Sequence, residues 1–154
     1  MGGILEAPAD AQDSKAGPTF LVAAQKDPIE AGLERVQIVK GWLVEGEAHE
    51  RVFDIACASG APPDEKTHRC PDRKTEPDLE SCAPASNSGA AELASTWQDP
   101  EYTPLASAFY YVRVLQIPTC RWSTFDANRL GQPLHSGVPP TIQERAVTSP
   151  IWIP

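Results

Sequence analysis

No run of this 154-residue sequence is apolar over the roughly 20 positions that a bilayer-crossing helix needs, so insertion into a membrane is not expected. Cations are scarce: 13 lysines and arginines against 21 acids leave a net charge of −8. They are also scattered, so a polyanion is repelled overall and nucleic acid is not an expected partner. No two cysteines stand two to four residues apart, the spacing of a zinc knuckle. His49, His68 and His135 form no His-x-His or His-x-x-x-His pair. No Gly-x-Ser-x-Gly elbow is present. The acidic residues of the segment 64–80 lack the every-second-position pattern, with glycine at the sixth, of a calcium loop. These absences leave no convincing reaction centre, and the expectation for the chain alone is no catalytic, cofactor or metal site. The opening residues 1–8 have neither the basic nor the apolar region of a secretory signal.

What is present is proline, glycine and β-forming sequence. Sixteen prolines and ten glycines make up more than a sixth of the chain, against roughly 12% in average usage. They punctuate apolar runs rather than interrupt them, the pattern of many short strands joined by ordered turns. A hydrophobic content of 41% over this length supports a single domain with one core. Residues 1–18 read as a linker and residues 19–154 as the domain.

Residues 108–116 read as the central strand, dense in β-branched and aromatic side chains. Alternation places Phe109, Tyr111, Arg113 and Leu115 on one face and Tyr110, Val112, Val114 and Gln116 on the other. Residues 19–24 give a first strand, ended by Pro28. Residues 33–44 and 50–56 form a hairpin across a turn at Glu45-Gly46-Glu47, with a bulge or bend expected at Gly41. Residues 90–97 mix helix-forming and strand-like features and are read as a strand with Trp97 inward. Residues 102–107 are a turn. Ser123 or Thr124 caps a short helix through Arg129, stopped by Gly131. After a proline-rich crossing, residues 141–145 and then 146–153 form the closing strand, at an edge or a bulge because of Pro150. The fold class is therefore all-β: an immunoglobulin-like antiparallel β-sandwich with one long disulfide-stapled loop, residues 57–88, and a short helix.

Four cysteines, Cys57, Cys70, Cys82 and Cys120, point to cross-links in an oxidising compartment more than to zinc. They allow three pairings. Cys57–Cys70 with Cys82–Cys120 is preferred because it combines a short local loop with an anchor beside the central strand. Closing such a loop is worth roughly 3 kcal/mol, enough to hold down a segment with few apolar side chains. Glu144-Arg145 reads as a structural acid–cation pair or, less readily, as a catalytic one. Arg121, Trp122, Asp126 and neighbouring Phe125 combine cation, indole, carboxylate and phenyl in six residues; they read either as a contact patch or as packing of Trp122 and Phe125 on the sandwich.

The run 108–115, Ile117-Pro118-Thr119, Arg121-Trp122-Ser123-Thr124, Asp126-Ala127, Arg129-Leu130-Gly131, residues 140–146 and Ser149-Pro150-Ile151-Trp152 together resemble the C-terminal part of the exported bacterial domain-of-unknown-function family 3604. Met1-Gly2-Gly3, Lys26-Asp27-Pro28, the strand at 36–42 and residues 89–93 fit the same pattern, so the resemblance covers nearly the whole chain. That family is related to the polymerase and histidinol phosphatase (PHP) superfamily of metal-dependent phosphoesterases. The resemblance implies a divalent metal held by His-x-His and further His and Asp residues in an upstream barrel, and no such ligand set can be placed on this sequence. It implies that the chain is an accessory sandwich, cut from a periplasmic or secreted parent, which packs on or caps the upstream catalytic domain of the same polypeptide. In that reading Phe109, Tyr111, Val114 and Trp97 form the core, and Arg121, Trp122, Asp126 and Arg129 face the other domain. The rival expectation is an extracellular ligand- or carbohydrate-binding module, marked by exposed coplanar aromatics. A third, an enzyme complete in this chain, would need activity of the isolated chain.

Overall fold

A computed structural model describes residues 2–6, 17–85, 89–103 and 106–154. The expected linker at residues 7–16, the last loop residues 86–88 and residues 104–105 of the expected turn lie outside them. In chain order the strands are β1 (Gly3–Ile4), β2 (Thr19–Gln25), β3 (Leu33–Val44), β4 (Glu47–Cys57), β5 (Glu92–Gln98), β6 (Ala108–Gln116) and β7 (Thr119–Cys120). The helix α1 (Trp122–Leu130) follows, and then β8 (Thr141–Ile142), β9 (Arg145–Val147) and β10 (Ile151–Ile153). Among the described residues no helix is long and apolar enough to cross a membrane.

The strands form an all-β sandwich of unequal layers. The large sheet runs β1-β10-β6-β3-β4, with β9 beside β6 on the side of β10. Its pairs are antiparallel except β1 with β10, so Gly3 and Ile4 belong to the sheet rather than to a linker. The small layer is the antiparallel pair β2-β5. Between them lies the core: Val36, Ile38, Phe53, Ile55, Ala108, Tyr110 and Ile153, covered by Phe20, Val22, Ala24, Leu93 and Trp97. β5 is a strand because every second side chain, Leu93, Ser95 and Trp97, turns inward, and Asp99-Pro100 ends it.

Several details correct the reading of the sequence. The face of β6 that fills the core is that of Tyr110, which is 1% exposed; Phe109 and Tyr111 stack on each other on the outer face. Val114 and Trp97 do pack against the core. The β3–β4 turn has two residues, Glu45 and Gly46, both at positive φ (52° and 86°). That is the backbone of a type I′ hairpin, and Glu47 opens β4. Gly41 pairs in register with Phe109 and Glu50. The bulge lies instead opposite Val36 and Gln37, at Ile55, and it lets Phe53, Asp54 and Ile55 all be buried. The closing strand is split by Ser149-Pro150 into β9 and β10, because proline cannot donate to the ladder.

Candidate functional site

The helix that follows β7 turns its large apolar side chains outward. α1 starts at Trp122, not at Ser123 or Thr124; Arg121 is its N-cap and makes no side-chain capping bond. Thr124 spends its hydroxyl elsewhere, donating to the Pro140 carbonyl at 2.7 Å. At the other end Gly131, at φ 62°, places its N–H on the Asn128 carbonyl while Gln132 N–H reaches that of Ala127. This closure satisfies the last carbonyls and stops the helix.

A nine-residue helix is marginal alone, and three attachments hold this one. The buried Thr124 and Ala127 form its inner side. Cys120, in β7 directly before it, is bonded to Cys82. The Asn128 side-chain amide donates to the carbonyls of Leu79 and Glu80 at 2.8 and 2.9 Å. What remains faces solvent: Trp122 is 73% exposed, Leu130 69% and Phe125 52%. At 100° per residue, Trp122, Phe125, Asp126, Arg129 and Leu130 fall within an arc of about 140°. Trp122 and Phe125 therefore do not pack on the sandwich. They form one exposed stripe with Asp126 and Arg129, and Arg121 lies half-buried at its start. Leu130, not among the expected contact residues, joins them through the helical period.

The remaining candidates for chemistry are occupied or dispersed. Disulfides join Cys57 to Cys70 and Cys82 to Cys120, with Cα atoms 5.7 and 5.5 Å apart. No thiolate is left for zinc, and two such cross-links point to an oxidising environment. His49 stacks on Trp42, His68 packs on Phe53 with Nε2 3.8 Å from Glu101, and His135 accepts from Gly137 N–H. Among the described residues no three His, Cys, Asp or Glu side chains converge to hold a metal ion. Glu144 and Arg145 form no ion pair with each other there; the Glu144 carbonyl instead accepts from Gln116 N–H.

Two polar clusters were not anticipated. Asp99, 3% exposed, accepts from Lys40 Nζ at 2.6 Å, from the Tyr110 hydroxyl at 2.7 Å and from Glu101 N–H at 2.8 Å. Burial first, and then the bond to Asp99, push the Tyr110 hydroxyl well above the usual tyrosine range. Asp99 thus ties β3, β6 and the residues after β5 together through one buried carboxylate. On the outer face Asp54 accepts from Gln37 Nε2 at 2.6 Å, Cys70 N–H at 2.7 Å and Arg35 at 3.1 Å. Gln37 in turn accepts from Arg113 at 2.7 Å. The sequence signal was a charge inside an apolar run, as at Lys40, but the partners are remote in sequence.

The same outer face carries aromatics. The Phe109 and Tyr111 rings lie 12° from parallel with centroids 6.5 Å apart, whereas Trp152 tilts by 49° from Phe109. Gly41, Leu43, His49, Glu50, Phe109 and Trp152 line a concavity of about 450 Å³. Trp152 is half-exposed, but it is not coplanar with its neighbour.

No curated protein and no solved structure matches the chain. One family matches it along its entire length, residues 1–154, and the chain belongs to that family, described as Protein of unknown function (DUF3604).

Proposed function

We propose that this chain is a non-catalytic accessory β-sandwich of a larger exported protein, which docks on the catalytic domain of the same polypeptide through the outward stripe of α1. The observation that carries this reading is the inverted helix: Trp122, Phe125 and Leu130 stand in solvent while small residues face inward. An apolar stripe flanked by Asp126 and Arg129 has the composition of an interface, with aromatic anchors and a charged rim. Occupation of all four cysteines by cross-links and the separation of the three histidines agree with chemistry carried elsewhere. By the sequence resemblance, that other domain is a PHP-like barrel holding a divalent metal, and the compartment is periplasmic or extracellular. Among the described residues no three His, Cys, Asp or Glu side chains are grouped to hold such a metal.

The test is made in the full-length parent. Trp122→Ser with Leu130→Glu leaves this domain's own melting nearly unchanged, because both side chains are exposed. It is expected to lower the stability or solubility of the catalytic domain as removing the sandwich would. A parent indifferent both to the double substitution and to removal of the domain sinks the proposal.

The concavity under Trp152 favours a second reading, a module for extracellular carbohydrate. Quenching of Trp152 fluorescence on titration with oligosaccharides, abolished in Trp152→Ala, would select it over docking.

A further inference from the structure

The small layer of the sandwich stops one strand short of the large one. β2 lies over β6, where the Phe20 ring is 5.1 Å from that of Tyr110, and β5 lies towards β4, where Trp97 meets Phe53. On the other side of β6 the large sheet continues through β9 and β10 to β1. Ala146 pairs with Val114 and so turns to the core face, yet Ala146 and Thr148 are exposed, and Val112, Val114 and Ile151 are only half-buried. A groove of about 410 Å³ opens there, with Ala23, Ala24, Val114 and Ala146 along its apolar part and Lys26, Asp27, Glu144 and Arg145 at its charged end. Further along the same strands Phe20, Val112, Thr148 and Ile151 line a smaller pocket.

The wall of this groove is a strand edge with no partner strand among the described residues. Asp99 N–H donates to the Pro18 carbonyl and Lys26 N–H to that of Ala91. With the register Thr19↔Gln98 to Gln25↔Glu92, these bonds fix Phe20, Val22 and Ala24 as the residues that pair with β5. The N–H and C=O groups of Leu21 and Ala23 therefore point away from β5, over the shelf, and have no partner among the described residues. β2 contains no charge and no proline, the features that usually protect an edge. The exposed start of β4, by contrast, carries Glu47, Glu50 and Arg51.

We infer that this slot receives one extended polypeptide strand from a partner. It pairs with the free edge of β2 and lays alternate apolar side chains on Val112, Val114, Ala146 and Ile151. A second copy pairing β2 to β2 does not fit. Paired strands lie about 4.8 Å apart, and each copy would bring its own β9, β10 and β1 into that space. The shelf belongs to this chain and has room for a strand, not for another sandwich. The inference concerns a different surface from α1 and does not depend on the docking proposed there.

The experiment follows backbone amides of the 154-residue chain by NMR and hydrogen exchange. The probe is a capped octapeptide of alternating threonine and valine with lysine at each end. Alone, the chain is expected to exchange the Leu21 and Ala23 amides faster than those of Phe20 and Val22. The peptide should protect Leu21 and Ala23 saturably. Ala23→Pro removes only an outward N–H, and it should weaken binding by about tenfold or more. Ala146→Trp, which fills the shelf and leaves the sequence of β2 unchanged, should block binding too. Leu21 and Ala23 amides already protected without peptide, no saturable effect there at millimolar peptide, or protection that follows protein concentration in place of peptide, would each overturn the inference.

Discussion

The tip of the Phe109 ring lies against Gly41 of the neighbouring strand: a Cβ added at Gly41 would stand 2.3 Å from the phenyl Cζ. The ring is confined further by Tyr111 and Trp152, so it has little freedom to give way. Glycine here serves close approach rather than a bend. Gly41→Ala is expected to cost about 1–3 kcal/mol in urea denaturation. In the background of Phe109→Ala, where the ring is gone, the same substitution should cost nearly nothing. Equal costs in the two backgrounds would show that the contact does not restrict the site.

Lys40 and Asp99 form an ion pair out of reach of solvent, with side-chain exposures of 6% and 0%. Attraction in such a place is offset by lost hydration, so the pair as a whole adds little. Removing one partner is different, because the other charge stays buried alone. Lys40→Met is expected to destabilise by about 3–5 kcal/mol, and Lys40→Met with Asp99→Leu by less than the sum of the two single changes. Additive losses would mean that the two groups act independently.

Tyr110 gives an alkaline signature. Its folded pKa is raised, by burial and by the bond to Asp99, so its contribution is complete below the unfolded value of about 10 and fades as the pH rises above it. The unfolded chain loses the phenolic proton first, which favours unfolding. Between pH 10 and pH 11 the protein should lose about 1 kcal/mol more than Tyr110→Phe does. At neutral pH the same variant should be about 1.5–3 kcal/mol weaker, since a charged acceptor has lost a donor. An identical loss for both proteins above pH 10 would refute the assignment.

The long strands were legible because their chemistry is local. Residues 33–44 and 108–116 are rich in β-branched and aromatic side chains, and the structure places strands over those same residues. Which face of β6 turns inward was not legible, since Phe109 and Tyr111 on one side and Tyr110 on the other satisfy the same alternation. The bulge at Ile55 escaped because it depends on Asp54, whose burial is satisfied by Gln37, Arg35 and the Cys70 N–H. The α1 start was misplaced because Thr124, a good cap on local grounds, is claimed by Pro140 sixteen residues away. The stripe was half legible: Trp122, Phe125, Asp126 and Arg129 stood out by type, but only the helix shows that Trp122 and Phe125 stand in solvent and that Leu130 joins them.

Asn128 and the Cys82–Cys120 bridge hold α1 from the same side, since the Asn128 amide caps carbonyls two and three residues before Cys82. The bridge spans 38 residues, and closing a loop of that size is worth about 4 kcal/mol in the chain-entropy model. The 13-residue Cys57–Cys70 loop is worth about 3 kcal/mol on the same basis. Thiol titration of unreduced, denatured protein should find essentially no free cysteine. Replacing Cys82 and Cys120 by serine should cost about 4 kcal/mol and should raise hydrogen exchange in α1 well before it does so in β3 or β6, because the helix loses its anchor while the core strands keep their ladders. Asn128→Ala should reproduce the local effect at a cost of about 1–2 kcal/mol. If exchange instead rises uniformly across the chain in both variants, the loop stabilises the whole domain and does not position the helix face.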